Sequence, residues 1–176
     1  IYIIAATLTG KIVESTYCPL ETSDVSSVLQ ILAKAVAKLR KHPKLKRRSL
    51  LGIGVGVPGS VRNPEGIIAL APNLRWREIA FLEQFSNALE KENIKDIPLY
   101  VGNDYNAAAL SEYEFGPHPL PDPLLYVGLG VGIGAGIIAH NRLFLGAQGF
   151  AGEVGHMIIN EQGTECACGR FGCAET

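Results

Sequence analysis

The stretch Leu99-Tyr100-Val101-Gly102-Asn103-Asp104-Tyr105-Asn106-Ala107-Ala108-Ala109 decides the fold. An apolar run ending in Gly-Asn-Asp and followed at once by an alanine-rich segment predicts a strand over 97–102 that passes directly into a helix over 104–115. Junctions of this kind are where α/β proteins place ligands, and the helix N-terminus favours an anion there. Asp104 reads two ways at such a junction. It is either the N-cap of the helix or an acid facing a crevice, able to take a proton from a hydroxyl.

Toward the N-terminus the same class of elements recurs. Residues 1–19 read as two β-branched strands joined at Thr9-Gly10-Lys11. Thr22, Ser23 and Asp24 supply N-cap chemistry for a helix whose Val25, Val28, Leu29, Leu32, Ala33, Val36 and Leu39 fall at helical spacing. The basic end of that helix (Arg40, Lys41, Lys44, Lys46, Arg47, Arg48) complements a helix C-terminus and would equally suit a phosphate. Residues 49–57 form a continuous apolar run stopped by Pro58-Gly59, which predicts a strand covered on both faces of a buried, parallel sheet. A helix is expected over 79–91, with Ile79, Leu82, Phe85 and Leu89 on one stripe.

Toward the C-terminus, Pro117, Pro119, Pro121 and Pro123 forbid regular helix and mark a boundary. The expected organisation is an N-terminal α/β lobe over 1–118 and the start of a second lobe over 119–176, opening with a hairpin of 124–131 and 134–140. The chain starts without Met, inside a strand-like run, and stops just after its last cysteine, so it is expected to be a fragment.

With 176 residues, 47% hydrophobic content and a net charge of -1, the chain can build a core but carries no overall electrostatic footprint of a nucleic-acid binder. Contact with DNA is expected only through a segment outside this chain. The apolar runs fall short of the roughly 20 residues that span a bilayer, and no secretory leader is recognisable, so a cytoplasmic location without membrane contact is expected. Cys18 stands apart from the other cysteines and reads as an inert buried thiol.

The remaining cysteines read His156-x9-Cys166-x-Cys168-x4-Cys173, three thiolates and one imidazole, the donor set of a closed structural zinc site. Gly169 and Gly172 permit the tight reversals that bring donors from so short a loop onto one ion. With all four positions taken by protein, the ion has no vacancy for a catalytic water, and its role is architectural. Glu153 lies just before the first donor and Glu175 just after the last. Carboxylates accept hydrogen bonds from hydroxyls, and the free nitrogen of a metal-bound imidazole donates, so Glu153, His156 and Glu175 suit a polyol. Glycine at every second position from Gly128 to Gly136 either lets hairpin amides approach a phosphate or permits close packing across strands. The run fits neither the Walker nor the Rossmann pattern.

Six motifs together resemble the ROK family, which joins bacterial sugar-responsive repressors and sugar kinases. They are Val55-Gly56-Val57-Pro58-Gly59, Ala71-Pro72-Asn73-Leu74, Asn103-Asp104-x-Asn106-Ala107-Ala108, Gly130-x-Gly132-Ile133-Gly134-Ala135-Gly136, Gly149-x-Ala151-Gly152-Glu153-x-Gly155-His156 and Cys166-x-Cys168-Gly169-x-x-Gly172-Cys173-x-Glu175. The resemblance implies an α/β, actin-like (ribonuclease-H-like), two-lobed fold and assembly as a dimer or tetramer. It implies sugar contacts from Asn73, Asn103, Asp104, Glu153, His156 and Glu175. If the protein were a kinase, it would imply Asp104 as base, with Gly130, Gly132 and Gly134 at the phosphates of ATP and Mg2+. Kinases of the family usually carry Thr where this chain has Val131; their Asp-x-Gly-Gly-Thr loop would stand just before the run 1–13, so its absence is what truncation would give. The run 146–156 resembles xylose-type repressors more than glucokinases, and the chain as a whole resembles sugar-responsive regulators of the xylose or N-acetylglucosamine type. The expectation is therefore the effector-binding portion of a sugar-responsive regulator, with sugar as its ligand and zinc as its structural ion.

Overall fold

The computed structural model describes residues 1–117, 121–147 and 149–176. The boundary expected at 118/119 falls on residues outside those described. By packing, the chain divides into one compact unit of Ile1–Val55 with Ala80–Tyr100 and a second of Gly56–Ile79 with Val101–Thr176.

In the first unit, strands β1 (Tyr2–Ala6) and β2 (Ile12–Tyr17) pair antiparallel, with Tyr2 opposite Tyr17 and their ring centroids 4.9 Å apart. Gly10 at φ 77 closes the hairpin, the left-handed conformation for which glycine is the usual residue. Helix α1 (Val25–Arg40) starts where expected, because Asp24 accepts a hydrogen bond from the Ser27 amide at 2.8 Å. It buries Val28, Leu29 and Ala33 and packs on helix α2 (Phe81–Lys91), whose Phe81, Phe85 and Leu89 are at most 2% exposed. Burial of this kind stabilises by about 2–3 kcal/mol for each large apolar side chain. Cys18, expected to be buried, is only half-buried, because it lies just past the end of β2.

Two expectations need correction here. The strand predicted over 49–57 is β3 (Ile53–Val57), and it alternates in burial, with Gly54 and Gly56 exposed instead of covered. Among the described residues it hydrogen-bonds to β7 (Leu99–Asn103) alone, so the continuous apolar run did not report two covering layers. The helix expected from residue 79 starts at Phe81, because Trp76–Ala80 is drawn into a strand of its own.

That strand belongs to a sheet that the sequence does not announce. In the second unit, β4 (Ser60–Arg62), β5 (Ile67–Ala71) and β6 (Trp76–Ala80) form a three-stranded sheet in the order β4-β5-β6, with Ile68, Ala71 and Trp76 buried. The second sheet runs in the order β10 (Arg142–Leu143), β9 (Ile133–Ala139), β8 (Leu124–Leu129), its last two strands forming the expected hairpin. Helix α3 (Asp104–Phe115) lies across β8 and β9. Gly128 sits opposite Gly134 in register, and a Cβ added to either would come within 2.1 Å of the Tyr105 ring. A Cβ on Gly136 would meet the Ala109 Cβ at 2.5 Å. Alternating glycine is thus the surface on which α3 rests at short range. Among the described residues no helix is long and apolar enough to cross a membrane.

Candidate functional site

The N-terminus of α3 settles the ambiguity of Asp104. The capping residue is Asn103, whose Oδ1 accepts from the Asn106 amide at 3.0 Å, while its Nδ2 donates to the Gly59 carbonyl at 3.2 Å. Asp104 is the first helical residue, and its Oδ1 accepts from the Tyr105 amide at 3.0 Å and from Asn103 Nδ2 at 3.3 Å. Its carboxylate lines the cavity described below. Burial pushes the Asp104 carboxyl above its ordinary value of 3.8, against the opposing pull of the Tyr105 amide.

The segment that carries Glu153 and His156 is held along β9 by backbone. Gly152, at φ 92, approaches so closely that an added Cβ would stand 2.0 Å from the Ala135 carbonyl oxygen, and its own carbonyl accepts from the Ala135 amide at 2.9 Å. Only glycine fits there. A short 3-10 turn, Val154–His156, follows, and the Glu175 amide returns to the Gly155 carbonyl at 3.1 Å. Glu175 Oε2 also accepts from the Ile133 amide at 3.4 Å. Glu153 is raised above the usual carboxylate range chiefly by burial; His156 opposes the shift, and Glu175 and Asp104 add to it. Glu153 thus lies within electrostatic reach of both Glu175 and Asp104.

Between them is a cavity of about 460 Å³ lined wholly by residues of the second unit. Asn73, Asn103, Asp104, Glu153, His156 and Glu175 all line it, so every residue named for a sugar contact reaches one place. Asn73 is delivered by the 3-10 turn Pro72–Leu74 between β5 and β6, the part of the chain whose strands the sequence did not reveal. Gly132 and Gly134 line the cavity, whereas Gly130 is not among its lining residues.

His156, Cys166, Cys168 and Cys173 place their donor atoms within 4.8 Å of one another. Cys166 Sγ lies 3.6 Å from His156 Nδ1, and Cys168 Sγ lies 3.7 Å from Cys173 Sγ. The other imidazole nitrogen, Nε2, faces Glu153 Oε2 at 3.9 Å and so turns toward the cavity. Glu175 Oε1 lies 3.1 Å from Cys166 Sγ and 3.5 Å from His156 Nδ1, tying the acid to the donor cluster. Burial pushes the Cys166 thiol up to about 12. At Cys168 the same burial is outweighed by the neighbouring Arg170, which brings that thiol down to about 6. Such a cluster can hold a metal ion, whose positive charge would let all three thiols ionise together.

Tyr105 and Arg170 are among the lining residues that sequence reasoning missed. The alternating glycines were the available signal for Tyr105, since a strip without side chains on paired strands asks for a flat ring to cover it. Its hydroxyl donates to the Gly132 carbonyl at 3.4 Å, beside Glu175.

Known proteins resemble this chain along its whole length. The ROK family model matches residues 1–176. A xylose repressor of Caldicellulosiruptor bescii is 39% identical over 99% of this chain and 43% of its own length. A glucokinase of Halalkalibacterium halodurans is 37% identical over 97% and 50%. Among solved structures, a ROK family glucokinase from Streptomyces griseus in complex with glucose and AMPPNP superposes with a TM-score of 0.78 at 30% identity, covering 96% of this chain and 50% of that one. A ROK family transcriptional regulator, a homologue of the Escherichia coli MLC protein, gives 0.80 at 27%, covering 99% and 42%. The chain spans half or less of the length of these proteins. With an α/β, actin-like ATPase fold and a match over every residue, the chain belongs to the ROK family.

Proposed function

We propose that this chain is the sugar-effector-binding portion of a ROK-type transcriptional regulator, acting in the cytoplasm as part of a homo-oligomer whose operator is read by a segment outside it. The observation that carries the reading is the convergence of Asn73, Asn103, Asp104, Glu153, His156 and Glu175 on one cavity. Hydroxyl groups of a sugar donate to carboxylates and accept from amides and an imidazole N–H, and this set offers both in one pocket. Two of the donor separations, Cys166 to His156 at 3.6 Å and Cys168 to Cys173 at 3.7 Å, already match a structural zinc ion on His156, Cys166, Cys168 and Cys173, and the whole set lies within 4.8 Å. Tetrahedral zinc with bonds of about 2.3 Å to sulfur and 2.0–2.1 Å to nitrogen implies sulfur–sulfur edges near ~3.8 Å and sulfur–nitrogen edges near ~3.6 Å. Held there, the ion supplies rigidity, while His156 turns its Nε2 toward the ligand and Glu175, already engaged by Ile133 and the donor cluster, lends the remaining lone pairs of its carboxylate.

The regulator reading is preferred to the kinase one at the glycine turn. Val131 stands at its tip, 96% exposed, and brings no hydroxyl where the family's kinases usually place Thr. A regulator also needs sugar to bind one conformation better than another, which a site of several convergent acids can supply. The second reading, an ATP-dependent sugar kinase, rests on Asp104, released from capping and raised in pKa as a general base would be. The two are separated by incubating the full-length protein with ATP, Mg2+ and a panel of pentoses and hexoses. Sugar-dependent thermal stabilisation without turnover, abolished by Glu153→Ala, is expected. Phosphoryl transfer that disappears in Asp104→Asn would establish the kinase instead.

A further inference from the structure

The net charge of -1 averages two opposite halves. Residues 1–64 hold ten cations and three acids, a net of +7, and residues 65–176 hold six cations and fourteen acids, a net of -8. Between Asp24 and Glu65 there is no acidic residue at all. Eight of the sixteen Lys and Arg residues fall within residues 34–48, and all eight are exposed. Asymmetry on this scale points to a polyanionic partner.

We propose that residues 34–48 form a docking surface for the phosphate backbone of double-stranded DNA, supplementing the segment that reads the operator. This rests on the regulator reading. Lys38 and Arg40 complement the C-terminal end of α1, which accounts for about half a unit of charge. Lys44, Lys46, Arg47 and Arg48 lie beyond the helix and have no such task. They are carried on successive turns, with His42 N donating to Leu39 O at 3.0 Å, Leu45 N to His42 O at 2.9 Å and Arg48 N to Leu45 O at 2.9 Å. The cations therefore sit on an ordered scaffold. Among the described residues Glu14 alone pairs with this segment, with Lys44 at 3.0 Å and His42 at 3.4 Å, so Lys46, Arg47 and Arg48 keep their charge for a partner.

The composition of the surface selects duplex phosphate among polyanions. No Phe, Trp or Tyr occurs between Tyr17 and Trp76, so the basic segment itself brings no large ring on which unpaired bases would stack. Leu39 and Leu45 are partly covered and the exposed positions are nearly all cationic, so the surface lacks the apolar centre a protein interface needs. Contacts of this kind position a protein on DNA without reading sequence.

The test uses full-length protein and a random-sequence duplex of about 30 base pairs, with binding followed by fluorescence anisotropy from about 50 to 200 mM salt. The variant is Lys46→Glu/Arg47→Glu/Arg48→Glu. Each phosphate that is no longer neutralised should flatten the slope of log affinity against log salt by about 0.9, so a change of about 2–3 is expected. Sugar-dependent thermal stabilisation, unchanged from wild type, reports that the variant is folded. Should the triple variant unfold, Arg47→Gln alone should flatten the slope by about 1. A variant with the wild-type slope overturns the docking surface and leaves the regulator reading standing. Full-length wild type that binds no duplex even at low salt removes the regulator reading and the surface with it. Equal salt-sensitive capture of polyglutamate would overturn duplex DNA as the occupant.

Discussion

Two walls of the cavity are built by different physics. The wall formed by α3 on β8 and β9 is a packed layer, in which Tyr105 lies over Gly128 and Gly134 and Ala109 is fully buried. The wall formed by residues 156–175 has little regular structure beyond a 3-10 turn and two isolated bridges, Ile158 with Cys173 and Glu165 with Phe171. Its side chains do not bury enough apolar surface to hold it, and Met157, Ile159 and Phe171 are exposed. A donor cluster takes the place of a core. Asp104 depends on the packed layer alone, whereas Glu175 is held by the donor cluster and by the Ile133 amide of β9, so loss of the cluster should displace Glu175 and leave Asp104 in place.

The largest effect is expected from removing the zinc ion proposed for the donor cluster. In small metal domains such an ion is worth about 10–16 kcal/mol of apparent stability. Chelation, or Cys168→Ser, should abolish bound zinc and sugar-dependent stabilisation while leaving the far-UV signal of the helices nearly intact. Elemental analysis, circular dichroism and thermal shift read these out. Retained sugar stabilisation in metal-free protein would show that the loop needs no ion.

Next in size is the packed wall. Gly134→Val would drive a side chain into the Tyr105 ring and destabilise by about 1–3 kcal/mol, the usual cost of overpacking. Metal content should stay at one per chain. The double variant with Tyr105→Ala should recover part of the loss in a denaturant titration; without any recovery, the account of the alternating glycines is wrong.

Asp104→Asn should reduce sugar affinity about tenfold to a hundredfold, from the loss of charge-assisted hydrogen bonds of about 1.5–3 kcal/mol. The stability of the unliganded protein should be unchanged or higher, since a desolvated carboxylate has been removed. Calorimetric titration with the preferred sugar measures the first, and thermal unfolding the second. A fall in unliganded stability would mean that Asp104, not Asn103, supports the start of α3.

The smallest effect is the pH dependence. The Asp104 carboxyl is raised above 3.8 in the fold, so the native state holds its proton to higher pH than the unfolded chain does. Wild type should therefore lose stability relative to Asp104→Asn as pH rises from 3.8 through the raised value, with a constant difference above it. Sugar binding, which favours the ionised acid, should weaken on acidification before the ordinary carboxylate range is reached. A pH series of thermal midpoints for the two proteins, with and without sugar, is sufficient to check both.

Much of this site was legible in the chain because its signals are short. Cys166, Cys168 and Cys173 lie within eight residues, and such spacing leaves few ways to arrange them other than around a common point. The cap of α1 was equally legible, since Asp24 and Ser27 are three residues apart. The sheet of 60–80 was not. Its first strand has three residues, and Arg75 and Glu78 adopt left-handed angles of 58° and 52° that no composition rule anticipates. Asn73 could be named by resemblance to a family, while nothing in its immediate neighbours points to a ligand. The strand over 49–57 was read as covered on both faces because apolar character reports what a side chain tolerates, whereas coverage depends on which other elements arrive.

By itself, then, the sequence determined the donor set, the glycine strip and the strand-to-helix junction at Asn103-Asp104. Each is a matter of local spacing, and local spacing constrains the backbone directly. Only the tertiary structure decided that Asn103 takes the cap and leaves Asp104 free, that Tyr105 occupies the glycine strip, and that Asn73, Asp104, Glu153 and Glu175 open onto one cavity. Those outcomes depend on the direction each side chain takes once distant segments pack, and direction is set by contacts between residues far apart in the chain.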